Sequence, residues 1–208
     1  MLFRSNQTKV YGADDPTLGG IGVTLTGLVN RTVTNWNGTN PAIDDSALTS
    51  TVTSLTRNAG ETVAGGPYTI TAGSFTTPST NYAAPSFTGT PTLAITTKSL
   101  TGAIGNQTKV YGADDPTLGG IGVTLTGLVN RTVTNWNGTN PAIDDSALTS
   151  TVTSLTRNAG ETVAGGPYTI TAGSFTTPST NYAAPSFTGM PTLAITRSEE
   201  HTSELQSH

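Results

Sequence analysis

The chain has 208 residues, a formal net charge of −4 and only 11% charged residues. Its nine Lys and Arg residues are scattered along the chain, and the lack of a basic cluster argues against nucleic acid as a partner. It contains no Cys, which excludes disulfides, thiolate metal sites and cysteine nucleophiles. No apolar run approaches membrane-spanning length and residues 1–5 are no signal peptide, so we expect no membrane insertion.

One long sequence occurs twice in the chain. Residues 6–96 return at 106–196 with a single difference, because Thr90 of the first copy is Met190 in the second. A repeat this exact predicts two copies of one structural module. We expect a first module at 6–97 and a second at 98–196, arranged end to end, with the differing residue in a surface turn.

The two ends of the chain interrupt the repeat. Residues 197–208 resemble a translated sequencing adapter, and residues 1–5 match the same adapter in the opposite orientation. We therefore interpret 1–5 and 197–208 as adapter-like scars, and expect the tail to pack on nothing specific. Both histidines, His201 and His208, lie in this tail, so residues 6–196 contain neither His nor Cys.

Short runs within each module alternate apolar and polar residues, which is typical of strands. We expect Ile21, Val23 and Leu25 to share one face, and Tyr68, Ile70 and Ala72 to face the core in the clearest strand. Residues 92–96 alternate in the same way, and Asn37-Gly38 is a pair favoured in hairpin turns. No helical period is present, nor the inner period of about twenty residues that a β-solenoid needs. The sequence predicts an all-β fold, either sandwich or β-grasp-like.

A strand is expected just before the second copy. Leu100 and Ile104 share one face of residues 99–104, whereas the first copy has only residues 1–5 at the corresponding place. The first module should therefore lack one strand, its ladder hydrogen bonds and two buried aliphatic side chains. We predict that the first module is less stable than the second and opens faster in hydrogen exchange.

Carboxylates are the only candidates for acid–base or metal chemistry in the repeat. They are Asp14, Asp15, Asp44, Asp45 and Glu61, with their counterparts in the second copy. Two carboxylates suffice in principle for sugar hydrolysis. Adjacent aspartates in turns usually accept hydrogen bonds from backbone N–H groups, which is the reading we favour here. Calcium binding by Asp44-Asp45 is the alternative, although no calcium-loop spacing is present.

Trp36, with its counterpart Trp136, is the only tryptophan of each copy and lies among asparagines. Such an indole could stack on a sugar ring while Asn35, Asn37 and Asn40 bond the hydroxyls. The alternative, which we favour, is that the indole closes the loop over the core. Gly19-Gly20-Ile21-Gly22 is no dinucleotide site, because a strand follows it rather than a helix.

Residues 8–12 (TKVYG), followed by Asp15-Pro16, resemble the start of the MBG repeat of YGX type. Further segments matching that repeat are 26–30, 57–63, 68–73, 81–82 and 93–95. The resemblance spans both modules, with residues 31–47 forming a longer loop than simpler members have. It implies tandem β-rich repeats of large bacterial surface or secreted proteins, including filamentous-haemagglutinin-like adhesins. Module-specific binding would be expected in the long loop.

The resemblance and the residue inventory together predict a non-catalytic stalk, spacer or adhesive segment that is extracellular or on the cell surface. No catalytic, cofactor-binding or metal-binding residue is expected, and no cofactor. The expected partners are neighbouring repeats of the parent protein, with host or environmental glycans as a further class. The alternative function is a carbohydrate-binding module that uses Trp36 and Trp136.

Overall fold

The computed structural model describes residues 5–198, and contacts divide them into two units. The first unit comprises the described residues up to Lys98 together with Asn130–Asp144. The second comprises Ser99–Val129 and the described residues from Asp145 onwards. The first division between the units falls between Lys98 and Ser99. The sequence did not predict that residues 130–144, encoded by the second repeat, belong to the first unit.

Short strands account for nearly all of the regular structure. In chain order they are β1 Gln7–Val10, β2 Asn30–Thr32, β3 Ala42–Asp44, β4 Val52–Arg57, β5 Tyr68–Phe75, β6 Thr92–Thr96, β7 Thr101–Ile104, β8 Gln107–Val110, β9 Val123–Thr126, β10 Asn130–Thr132, β11 Ala142–Asp144, β12 Val152–Arg157, β13 Tyr168–Phe175, β14 Ser186–Phe187 and β15 Thr192–Thr196. The helical residues among those described form two 3-10 turns, Leu18–Gly20 and Leu118–Gly120. The expected all-β class and two tandem modules are therefore confirmed. Within residues 5–198 no helix has the length and hydropathy to cross a membrane.

The first unit is built on a four-stranded sheet in the order β1-β6-β5-β4. β1 runs parallel to β6, whereas β5 is antiparallel to both of its neighbours, β6 and β4. Two antiparallel hairpins also belong to this unit. One is β2–β3, and the other is β10–β11, which the second repeat encodes.

The second unit contains two sheets. One is the counterpart of the first unit's sheet, in the order β12-β13-β15-β8, and the other is a three-stranded sheet in the order β14-β7-β9. Its core combines Ile104 of β7 with Val152 of β12, Ile170 and Phe175 of β13, and Ile121. Because both sheets contribute to one core, this unit is a small sandwich.

The alternation expected in β5 holds only in its first half. Tyr68 and Ile70 are buried as predicted, but Ala72 is exposed and Phe75 is buried instead. The register explains the error, because Arg57 pairs with Ile70 while Thr56 pairs with Ala72, so β5 carries one extra residue between them. Such a bulge reverses the facing of every later side chain in the strand.

The strand predicted at residues 99–104 is β7. It pairs antiparallel with β9 and parallel with β14, and Leu100 and Ile104 are both buried. The first repeat contains no counterpart of this sheet among its described residues. Residues 21–26 follow the expected facing, with Ile21 buried and the even positions exposed, yet they form only an isolated bridge at Thr24. The same sequence forms a strand in the second unit because β7 is there to pair with it.

We expect hydrogen exchange to show this difference locally. Backbone amides in residues 123–126 should exchange at least tenfold more slowly than those in residues 23–26, because the former pair along a continuous ladder and the latter form only a single bridge. The strands β5 and β13, which pair identically in both units, provide the control and should exchange at similar rates. Equal rates in the two segments would show that β7 adds no protection.

The single difference between the copies lies at an exposed position, as predicted. Met190 is exposed, Thr90 is exposed, and each follows a glycine with positive φ, Gly89 or Gly189. The expectation about the tail falls almost wholly outside the described residues. Of residues 197–208 only Arg197 and Ser198 are described, and both are exposed.

Candidate functional site

The sequence YGADDP, which follows β1, forms a tight turn that holds two adjacent carboxylates. The Tyr11 amide donates to Thr96 O at 2.9 Å, and the Ala13 amide donates to Val10 O at 3.0 Å. Gly12 lies between them with a φ of 76°, a conformation that costs glycine little and other residues more. The turn therefore places Asp14 and Asp15 at the end of the sheet, next to the β1 and β4 side chains.

Asp15 belongs to a network of four alternating charges in the first unit. Lys9 Nζ donates to Asp15 Oδ1 at 2.8 Å and to Glu61 Oε2 at 2.5 Å. Arg57 donates to Asp15 from Nε at 2.8 Å and from Nη2 at 3.1 Å, and its Nη2 also donates to Glu61 Oε1. Two cations and two carboxylates therefore form a closed ring with zero net charge.

The ring is nearly closed to solvent in the first unit. The side chains of Lys9, Asp15 and Arg57 are at most 2% exposed and that of Glu61 is 10% exposed. Burial alone would raise the pKa of Asp15. Hydrogen bonds from Arg57, Lys9 and the Trp136 amide outweigh that effect and hold the pKa below its ordinary value.

Aromatic packing fixes the Arg57 guanidinium from the other side. Its Cζ lies 5.3 Å from the centroid of the Tyr68 ring, a cation–π distance, and its Nη1 donates to Gly60 O at 2.7 Å. The Tyr68 hydroxyl donates to Thr62 O at 2.9 Å and accepts from the Thr62 amide at 3.0 Å. Gly60 has a φ of 137° and its Cα faces the Tyr68 ring, so a Cβ at this position would overlap the ring. The glycine is therefore required by both conformation and space.

Asp14 holds the hairpin Asn130–Asp144, which we call the docked hairpin. Arg131 Nη2 donates to both Asp14 carboxylate oxygens at 2.9 Å, and the Thr134 amide donates to Asp14 Oδ1 at 2.8 Å. The Asp15 amide donates in turn to Thr134 O at 2.9 Å. The hydrogen bond from the Thr134 amide, followed by that from Arg131, lowers the pKa of Asp14.

The tip of the docked hairpin completes the ionic ring and the core. The Trp136 amide donates to Asp15 Oδ2 at 3.1 Å, and its indole Nε1 donates to Pro16 O at 2.9 Å. The indole packs against the core cluster that contains Ile21, Leu55 and Ile70. Asn137 bonds the Arg57 backbone twice, accepting from its amide at 2.9 Å and donating to its carbonyl at 2.8 Å.

The second unit has the same ring with an open side. Lys109, Asp115, Arg157 and Glu161 repeat the ion pairs, but the Asp115 side chain is 47% exposed and Glu161 is 62% exposed. Tyr111 is 56% exposed, whereas Tyr11 in the first unit is 4% exposed. The docked hairpin is what the first unit has in addition. We therefore attribute the burial of the first ring to this hairpin.

The open ring still lowers the pKa of its carboxylate Asp115. Hydrogen bonds from Arg157 and then Lys109 lower the pKa of Asp115 from 3.8 to about 2. A carboxylate with a lowered folded-state pKa contributes stability that is fully present above its unfolded pKa. That contribution to the second unit is lost as the pH falls from about 4 towards 2.

Asp44 and Asp45, at the end of the hairpin Asn30–Asp44, take part in turn and hairpin contacts rather than in an ionic ring. Asp44 Oδ1 accepts from the Ser46 amide at 3.0 Å, as predicted for a turn. Asp45 Oδ2 accepts from the Tyr82 hydroxyl at 2.6 Å, and that hydroxyl also accepts from the Val29 amide at 2.7 Å. Tyr82 thus clamps both ends of the hairpin. Within residues 5–198 no three acidic or histidine side chains are grouped to hold a metal ion.

The predicted roles of Asp14, Asp15 and the tryptophans need correction. Asp14 and Asp15 do accept backbone N–H groups, but from the docked hairpin rather than from their own turn. Neither tryptophan closes its own loop over its own module. Trp36 is fully exposed, and Trp136 is half-buried on the core of the first unit.

Lys9 and Arg57 were missed as site residues, although the sequence carries a signal for them. The first repeat has few charged residues, and all of them except Asp44 and Asp45 are of a type used in the ring or in the contact with the docked hairpin. For Arg31 this holds through its counterpart in the second repeat, Arg131, which pairs with Asp14. Sparse charges in a Thr- and Gly-rich repeat are candidates for mutual pairing.

These features define an all-β tandem-repeat protein in which one repeat supplies a hairpin to the unit built on another. The model of the MBG domain (YGX type) matches the chain twice, at residues 4–92 and 100–189. The chain belongs to this family, and the resemblance seen in the sequence is confirmed. No curated protein and no solved structure matches the chain.

Proposed function

We propose that the chain is a non-catalytic segment of tandem repeats, serving as a stalk or spacer in a large bacterial cell-surface or secreted adhesin. The observation that carries this proposal is the docked hairpin. Residues of the second repeat complete the buried ionic ring of the first, so each repeat is suited to having another after it. A segment of this kind gives length and regular structure to its parent protein.

The chemistry of the ring supports a structural rather than a catalytic role. Asp15 and Glu61 are each bonded to both Lys9 and Arg57. A general acid requires a raised pKa, and ion pairing has the opposite effect on Asp15. The closed ring is also inaccessible to a substrate in the first unit.

Membership of the MBG family supports a location outside the cell, because the tandem repeats of this family are expected in surface and secreted proteins. The absence of Cys makes folding independent of the redox state of the compartment. Neighbouring repeats are the partners that the docked hairpin supports most directly.

Carbohydrate binding through Trp36 is the second candidate function. Its indole is fully exposed, and it lies with Thr34, Asn35 and Asn37 around a shallow depression. An exposed aromatic ring beside amides is a suitable surface for stacking on a sugar. Trp136 has the same neighbours in sequence, but its indole N–H is bonded to Pro16 O.

Glycan-array binding of the 208-residue chain separates the two functions. We expect no glycan to bind above background, either to the native chain or to Trp36→Ala. Binding that is lost in Trp36→Ala and kept in Trp36→Phe, which retains a stacking ring, would overturn the spacer proposal in favour of the carbohydrate-binding module.

A further inference from the structure

We propose that this chain associates with a second copy of itself, the hairpin Asn30–Asp44 of one copy docking on the open ring of the second unit of the other. This inference goes beyond the spacer role, since it depends only on two exposed surfaces of the chain. We call Asn30–Asp44 the free hairpin and the surface around Asp114, Asp115 and Arg157 the open acceptor.

The free hairpin is identical in sequence to the docked hairpin and equally well formed. Its strands β2 and β3 pair in the same register as β10 and β11, with Arg31 opposite Ile43 and Arg131 opposite Ile143. The side chains that make the contacts in the docked hairpin are exposed in the free one. Arg31, Thr34, Trp36 and Asn37 are all accessible to solvent.

The open acceptor contains a preformed pocket of about 340 Å³ in the second unit. Its lining includes Asp115, Pro116, Leu118, Ile121, Leu155 and Arg157. These are counterparts of residues at the docking site of the first unit. There Asp15 and Pro16 bond Trp136. Both Trp136 and Leu18 pack against the core cluster that contains Ile21 and Leu55. Leu155 is only half-buried, whereas Leu55 is fully buried.

The occupant of the pocket is therefore specified by the chain itself. The same ligand sequence sits on the same receptor sequence in the first unit, with a two-oxygen contact from Arg131 to Asp14 and an indole in the core. In the second copy's acceptor, Arg31 would meet Asp114, the Trp36 indole N–H would meet Pro116 O, and Asn37 would meet the Arg157 backbone. A contact between two different surfaces of identical chains can repeat from copy to copy.

The test uses a donor-blocked and an acceptor-blocked variant of the full chain. The donor-blocked variant is Trp36→Ala, which leaves the docked hairpin intact. The acceptor-blocked variant combines Asp114→Arg with Leu118→Lys, both at exposed positions, so that the incoming Arg31 meets a like charge and the pocket entrance is polar. Circular dichroism and the unfolding midpoint of each variant establish that it is folded.

Sedimentation velocity should show the native chain shifting from monomer to larger species between about 10 µM and about 1 mM, the range suited to a small interface. Each variant alone should associate at least tenfold more weakly. An equimolar mixture should form a 1:1 complex that grows no further, because each variant retains one of the two surfaces. A native chain that stays monomeric at 1 mM, or variants that associate like the native chain, would overturn the proposal.

Discussion

Replacing Arg57 with Met should destabilise the first unit by about 3–5 kcal/mol, the cost of removing one partner from a buried ion pair. Asp15 and Glu61 would then have Lys9 as their only cationic partner, in a site that is nearly closed to solvent. The guanidinium also donates to Asn58 O and Gly60 O, which would lose their partner.

The second repeat supplies the matched control for this substitution. Arg157→Met removes the same ion pairs from the open ring, where Asp115 and Glu161 are about half exposed and can be hydrated. We expect a loss of about 0–1 kcal/mol there, the range of exposed ion pairs. Denaturant unfolding of both variants, followed by residue-resolved hydrogen exchange, measures the two losses separately. Equal losses at the two positions would contradict the assignment of burial to the docked hairpin.

Replacing Trp136 with Ala should have the second-largest effect, a loss of about 2 kcal/mol in the docking of the hairpin. Removing a fully buried Trp costs about 3–5 kcal/mol, and this indole is half-buried. The hydrogen bond to Pro16 O and the packing on Leu55 and Ile70 would both be lost. The Asp15 amide, which donates to Thr134 O, reports on docking by its exchange rate and should exchange at least tenfold faster.

Trp36→Ala is the control, because it makes the same chemical change on a fully exposed side chain. At dilute concentration it should change the stability by less than about 0.5 kcal/mol. A similar loss for both tryptophans would mean that the indole stabilises the hairpin itself rather than its docking.

Period-two patterns and turn residues were sufficient to predict the fold class. Ile21, Tyr68 and Ile70 face the core as expected, and β7 was recognised from the spacing of Leu100 and Ile104. The error at Ala72 arose from the bulge in β5. The bulge is set by how β5 pairs with β4, and the alternation of apolar and polar residues within β5 does not reveal it.

The partners of Asp14 and Asp15 could not be predicted in the same way. The carboxylates were recognised as acceptors of backbone N–H groups, but the donors belong to residues more than a hundred positions away. Two identical sequences also have different environments here, and no pattern within one repeat can distinguish them. Trp136 is half-buried and Trp36 is exposed because they belong to different repeats of the chain, although their neighbouring residues in the sequence are identical.

The contact of the docked hairpin with the first repeat also imposes an order on the chain's folding during synthesis. The pairs Asp14–Arg131 and Asp15–Trp136 lie 117 and 121 positions apart, whereas the sheet β1-β6-β5-β4 needs nothing beyond Thr96. A chain that is synthesised from its N-terminus can form that sheet early. The turn that holds Asp14 and Asp15 can make its contacts only after the hairpin of the second repeat has been synthesised. Closing so long a loop adds an entropic cost and slows the final step. The first repeat therefore reaches its final structure only after the hairpin of the second repeat has been synthesised.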